Sequence, residues 1–277
     1  MKKKIVLSAV LTVALAAVFA LSGCGGGKDE AKGGDDKVIK VGATPAPHAE
    51  VLEVIKDNLK EEGYTLEIVE YNDYILPNKG VSAGDLDANY FQHISYLNNY
   101  NEENGTDLVS AGNVHYEPFA LYAGKAKSLA DLKEGSEIAV PNDGTNEGRA
   151  LKLLEAEGLI KLDPEAGFLA TKLDIVENPK GLEIVEMEAA QLPRVLETVD
   201  MAVINGNYAI DAGLNLSDAI AIEADDSEAA EAYANVVAVA KGNESSDKIK
   251  ALMKALCSDE VKAFMEETYG GAVVALF

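Results

Sequence analysis

The chain has 277 residues, and 47 acidic residues against 24 basic ones give it a formal net charge of −23. That balance excludes nucleic-acid binding through phosphate contacts, which need a basic surface, and it repels anionic lipid headgroups. There is no Trp, aromatic residues make up only 6%, and there are three His, so any crowding of rings stands out.

The N-terminus runs from Lys2, Lys3 and Lys4 through an apolar stretch to Leu21-Ser22-Gly23-Cys24. Basic, then apolar, then small residues is the pattern of a secretory signal peptide, although the run is also roughly long enough to span a bilayer. The last four residues resemble a bacterial lipobox. That resemblance implies a signal peptide over 1–23 and a diacylglyceryl thioether on Cys24, with covalent lipid as the membrane attachment. Residues 24–37 then form the lipidated Cys and a Gly-rich, charged, flexible tether. Cys257 is the only later cysteine, so no intramolecular disulfide is expected, and it reads as a small buried apolar side chain in a helical pattern.

From Val38 onward β-rich runs alternate with amphipathic helices. VIKVGA (38–43) predicts a strand and residues 48–63 a helix with Val51, Leu52, Ile55 and Leu59 on one stripe, ended by Gly63. LEIVEY (66–71) predicts the next strand. DANYFQHISYL (87–97) reads as a strand running into a helix. A second set follows: strand at 136–141, helix at 146–158, strand at 182–187, helix at 189–199 and strand at 200–205. Ile249, Leu252, Met253 and Leu256 mark a C-terminal helix. This alternation predicts an α/β fold of parallel sheets covered on both faces. Two sets imply two lobes, with EPFALYAGK and YANVVAVAKGN as the two crossings between them. Lobe one is expected over 38–126 plus 235–277 and lobe two over 127–234, with a hinge and an interlobe cleft at the carboxyl ends of the strands.

The residues just past those strand ends differ in kind from the rest. Tyr, Phe, His, Asn and one Arg gather in TPAPH, NDYILPN, QHISYL, NVHYEP, NDGTNEGR and NGNYA. Arg149, with Asn146 before it, falls in the first turn of a helix, where free N–H groups and the dipole favour an anion. Its guanidinium fork matches a carboxylate; the alternative is a surface Arg paired with Glu147 or Glu155. Tyr90, Phe91 and His93 are either core or site. Phe91 and His93 stand two apart on a strand and so face the same way, walling a slot that suits a thioether. His93, His115 and Glu117 are the metal-type residues nearest one another in role, but neither HExxH nor CxxC occurs and no metal or other cofactor is expected. Without a GxSxG elbow, P-loop or GxGxxG, no enzyme is expected.

These same stretches carry a resemblance. LSGC, KVGATPAPHAEVL, YNDYILPN, LDANYFQHISYLNNYN, VHYEPFALY, PNDGTNEGRALKLL, VENPKGLEIVEMEAAQLPRVL and AVINGNYAIDAGL, in this order, are similar to the methionine-binding lipoproteins, the NlpA-type substrate-binding subunits of bacterial ABC importers. The resemblance implies a two-lobe periplasmic-binding-protein architecture, anchored by lipid outside the cytoplasm and monomeric, serving a permease and its ATPase. It implies that Arg149 takes a methionine carboxylate, that Asn205 or Asn207 anchors the head group, and that Tyr74, Phe91, His93 and His115 enclose the side chain. Glu117 would face the ammonium. Gly148 stands where Ala is common and Ser95 where Pro is common; Ser95 is expected to cap a helix. Some relatives take D-methionine or a methionine-containing dipeptide. A surface lipoprotein with a vestigial cleft is the alternative of another class.

Overall fold

The structure, a computed structural model, describes residues 37–224 and 227–277. The signal-peptide, Cys24 and tether readings lie outside the described residues. Among those described, no helix is long and apolar enough to cross a membrane.

The chain builds β1 (Val38–Ala43), α1 (Glu50–Val54), α2 (Lys56–Glu61), β2 (Thr65–Glu70), α3 (Leu76–Ala83), β3 (Ala88–His93), α4 (Ile94–Asn104) and β4 (Val109–Tyr116). It continues with β5 (Ala120–Ala123), β6 (Glu137–Pro141), α5 (Gly144–Ala156), the short pair β7 (Lys161–Leu162) and β8 (Ile175–Glu177), and β9 (Glu183–Met187). Next come α6 (Leu192–Val195), β10 (Met201–Ile204), α7 (Gly206–Asp211), β11 (Ala221–Ile222) and α8 (Ser227–Ala232). The last elements are β12 (Asn235–Val239), α9 (Asp247–Leu256), α10 (Asp259–Tyr269) and β13 (Val274–Ala275).

Two sheets result. One has the order β13-β4-β12-β3-β1-β2 and the other β11-β5-β10-β6-β9. Both are mixed rather than parallel throughout. The βαβ strands pair in parallel, β1 with β2 and β3 and β6 with β9 and β10, but β5 is antiparallel to β10 and β12 is antiparallel to β3 and β4. The cause lies in the two crossings. β5 begins opposite the last residue of β10, Ala120 against Ile204, and β12 begins opposite the end of β3, Asn235 against His93. A chain entering a sheet at its carboxyl edge must run back against the strands that end there. β5, inside the stretch EPFALYAGK expected as the first crossing, hydrogen-bonds in the second sheet through Ala120–Ala123.

Each sheet has its own core. Ile39, Val41, Leu52, Ile55, Leu59 and Tyr90 pack with Leu252 and Leu256 on the first, so the stripe read from 51, 52, 55 and 59 is buried as expected. That segment is two helices, because Ile55 leaves helical geometry at φ −93, ψ 0. Phe119, Leu121, Ile138, Leu151, Leu154 and Met201 form the core of the second sheet. Cys257 is partly exposed at the end of α9, not fully buried; what burial it has raises its thiol pKa.

Candidate ligand-binding site

The strand ends of both sheets meet around a small cavity lined by Tyr74, Phe91, Gln92, His93, Tyr96, Glu117, Asn146, Arg149, Asn205, Gly206, Asn207 and Asn235. The room inside is about 20 Å³, space for about one water molecule. Eight of the ten expected ligand residues are among the lining. Tyr90 and His115 are not: Tyr90 points to the opposite face of β3, into the first core, and His115 lies behind Glu117.

α5 supplies the polar floor. Asp143 caps it, its carboxylate accepting from the Asn146 N–H at 3.0 Å and from the Asn146 side-chain amide. Asn146 Oδ1 is thereby turned outward and accepts from His93 Nε2 at 3.1 Å and from Asn205 Nδ2 at 3.0 Å, tying β3 of one sheet to the end of β10 in the other. His93 Nδ1 in turn caps α4 by accepting from the Tyr96 N–H. Ser95 is therefore not the cap; its hydroxyl donates to the Ala232 carbonyl. With Nδ1 accepting, the His93 proton sits on Nε2. Burial, helped by the Arg149 charge, lowers the ring's pKa to about 3, so His93 is neutral at ordinary pH. Asn205 Oδ1 is buried and is the one such side-chain atom without a hydrogen-bond partner among the described residues. Asn207 differs: its Oδ1 is taken by the Tyr74 hydroxyl at 2.5 Å.

Arg149 is buried, and its partner is neither Glu147 nor Glu155. Those carboxylates accept from the N–H groups of Lys172 and Leu162. Glu223 takes Arg149 instead, through Nε at 2.8 Å and Nη2 at 2.5 Å. Nη2 also donates to the Glu117 carbonyl at 2.9 Å. Of the five N–H donors of a guanidinium, three are spent, and those on Nη1 have no acceptor among the described residues. The guanidinium lies 4.0 Å from the Tyr233 ring centre and 4.8 Å from that of Phe119. The two-bond fork expected to hold a ligand carboxylate is thus held by Glu223, and Nη1 is the donor left for a ligand.

Glu117 faces this floor from the first crossing. Burial alone would raise its carboxyl pKa, but the His115 hydrogen bond, His48 and the Asn207 backbone N–H hold it below the ordinary value, so it is a carboxylate. Gly206 lets it approach: a Cβ there would stand 2.7 Å from Glu117 Oε2. His48, His115 and Glu117 bring three metal-type ligand atoms within 4.8 Å of one another, with His48 in the place that the sequence reading gave to His93. Hydrogen bonds with Thr44, Asn235, Tyr90 and Glu117 already engage all four ring nitrogens. Opposite the polar floor, Tyr74 and Phe91 lie 5.7 Å apart, Tyr74 and Tyr96 also 5.7 Å, and Phe91 and Tyr96 6.2 Å between ring centres.

Sequence reasoning missed His48, Tyr96, Asn235, Tyr233 and Glu223. The first two lie in the strand-end stretches TPAPH and QHISYL, which was their available signal. Asn235 opens β12 at the second crossing. Nothing local marks Glu223, whose partner is 74 residues away. Gly148 has a packing reason: a Cβ there would stand 2.3 Å from the Phe168 carbonyl oxygen, so this glycine lets the 167–170 turn lie against α5.

Residues 39–277 match the family model described as NlpA lipoprotein. The chain is 44% identical over 278 residues to the methionine-binding lipoprotein MetQ of Bacillus subtilis, covering 98% of each chain. It is 44% identical over 265 residues to the D-methionine-binding lipoprotein MetQ of Salmonella typhimurium, covering 94% of each. A nutrient binding protein from Burkholderia cenocepacia, solved bound to methionine, superposes with a TM-score of 0.82 at 48% identity, over 86% of this chain and all of that one. A match over this length, with the strand-end residues gathered round one cavity, has one reading: the chain belongs to the NlpA lipoprotein family and has its α/β substrate-binding-protein fold.

Proposed function

We propose that this chain is a lipid-anchored substrate-binding protein that captures methionine and delivers it to an ABC importer. The carrying observation is the cavity itself. Arg149 offers Nη1 to a carboxylate, while the Glu117 carboxylate and the orphaned Asn205 Oδ1 accept from an ammonium. The Tyr74, Phe91 and Tyr96 rings surround a thioether, which gains roughly 0.3–1.5 kcal/mol against an aromatic face. Asn205, not Asn207, is the head-group residue on this reading, because Asn207 is committed to Tyr74. The two sheets act as lobes joined at 117–119 and just before β12, and closing them over the ligand expels water and joins their surfaces for docking. Lipid on Cys24 holds the protein in the cell envelope facing outside the cytoplasm, as a monomer that meets a permease and its ATPase. The names of the relatives, methionine in one and D-methionine in the other, support a methionine-type ligand of either hand.

The test is thermal shift on the chain from Lys28 onward, unfolded and refolded to strip carried ligand. Ligand at 100 times its dissociation constant stabilises by about 2.7 kcal/mol, roughly 5–10 °C for this size. A shift with L-methionine that is lost in Arg149→Ala supports the receptor reading. A shift only with D-methionine or a methionyl dipeptide changes the substrate. No shift with any of them in folded protein overturns the reading in favour of a vestigial cleft.

A further inference from the structure

Behind Glu117 lies a hydrogen-bonded chain that never touches the cavity. The Tyr90 hydroxyl meets His115 Nδ1 at 2.5 Å, and His115 Nε2 meets Glu117 Oε1 at 2.8 Å. A carboxylate only accepts, so the proton between them sits on Nε2, and Nδ1 takes the Tyr90 hydroxyl proton. Tyr90 and His115 are both fully buried. They come from β3 and β4, which flank β12 on opposite sides, so the two strands hold the relay rigidly. We propose that His115 and Tyr90 are positioning residues for ligand recognition: Tyr90 anchors the His115 ring through Nδ1, and His115 fixes Glu117 so that Oε2 is presented to the ligand's ammonium. The inference rests on the reading of Glu117 as ammonium acceptor.

Two features of the site require such a device. Glu117 has lost its water, and an ionised carboxylate is retained inside a protein only when fixed donors replace the solvent. Its reach is also narrow, with Gly206 packed against Oε2, so a small rotation would carry that oxygen away. The charged and titratable groups around it are His48 from the turn before α1, His93 from β3, His115 from β4, Arg149 from α5, Glu223 after β11, and the more distant Tyr74, Tyr90 and Tyr269. Of these, His115 makes the shortest hydrogen bond to the carboxylate.

The experiment is calorimetric titration of the full-length chain in detergent, stripped of carried ligand by unfolding and refolding. The probes are methionine, in whichever hand binds more tightly, and 4-(methylthio)butanoate, which is methionine without its amino group. His115→Leu is expected to weaken methionine at least about tenfold, the loss of one hydrogen bond to a charged group, and to change the deamino acid less than about threefold, since that ligand offers Glu117 nothing. His115→Gln, whose amide places an N–H near the Nε2 position, recovers much of the loss. Tyr90→Phe keeps the ring, removes only the hydroxyl and weakens methionine in the same selective way. It also keeps the proposal testable where His115→Leu does not fold. In both weakened variants the acid limb of methionine binding moves to higher pH, because Glu117 then protonates more readily. Equal weakening of both ligands, or none, in His115→Leu or Tyr90→Phe overturns the proposal and leaves the relay as packing. Wild-type protein that binds the deamino acid as tightly as methionine refutes the ammonium reading of Glu117 itself, before any variant is made.

Discussion

Glu223→Ala leaves Arg149 buried with no counter-charge. Arg149 has 5% of its side chain exposed and Glu223 14%, so neither is rescued by bulk water. Breaking a buried pair from one side costs about 3–5 kcal/mol, because the desolvated partner stays behind. The residual exposure of Glu223 and the Glu117 carbonyl still bonded to Nη2 place this site near the lower end, at about 3 kcal/mol. For a domain of this size that is a fall in Tm of roughly 6–12 °C, measured by circular dichroism on ligand-free protein. The exposed pair Lys56–Glu53 is the control: Glu53→Ala should shift stability by no more than about 0.5 kcal/mol. Replacing both members, Arg149→Met with Glu223→Leu, removes the stranded charge and should recover most of the loss. The carboxyl adds a pH signature. Burial would raise its pKa, but the Arg149 charge and hydrogen bonds more than reverse this and hold it below the ordinary carboxylate value. Its stabilisation is therefore complete above the unfolded-state pKa and disappears as pH falls through the lower folded-state value, and Glu223→Ala should flatten that acid slope. A Glu223→Ala protein melting within about 2 °C of wild type would refute the whole account of Arg149.

Gly148→Ala puts a methyl against the Phe168 carbonyl; because backbone must move, it should cost about 1–3 kcal/mol, read as a lower denaturant midpoint, and an unchanged midpoint would show that the 167–170 turn yields freely. Gly206→Ala should weaken methionine binding in calorimetry by displacing Glu117, with unaltered affinity counting against the close approach. His93 and His48 are held neutral by burial at pKa values of about 3 and about 4, so their ring protons should not titrate by NMR between pH 5 and 8. Since both are ordinary histidines when unfolded, they bind protons there first, and stability should fall as pH drops below about 6.5.

The elements carrying the site were legible because their signals are local. Short β-rich runs between amphipathic helices marked β1, β2, β6, β9 and β10. The unequal placement of rings, amides and Arg149 marked the strand ends, and Phe91 with His93 share a face of β3 because side chains alternate along a strand. Tyr90 follows from the same rule: one residue from Phe91, it had to face the opposite side, and there it becomes support for the site instead of lining.

What the sequence by itself determined, then, was the alternation of elements, the acid balance, and which residue types collect where strands end, all set by near neighbours. Only the tertiary structure decided the partners. Glu223 reaches Arg149 across 74 positions, and His48 reaches Asn235 across 187, distances over which no periodicity carries information. It also decided strand direction, since β5 and β12 read as ordinary apolar runs and run antiparallel only because the chain enters each sheet at its carboxyl edge. The difference between Asn205 and Asn207 belongs there too: the Tyr74 hydroxyl satisfies Oδ1 of Asn207, whereas Oδ1 of Asn205 has no partner among the described residues.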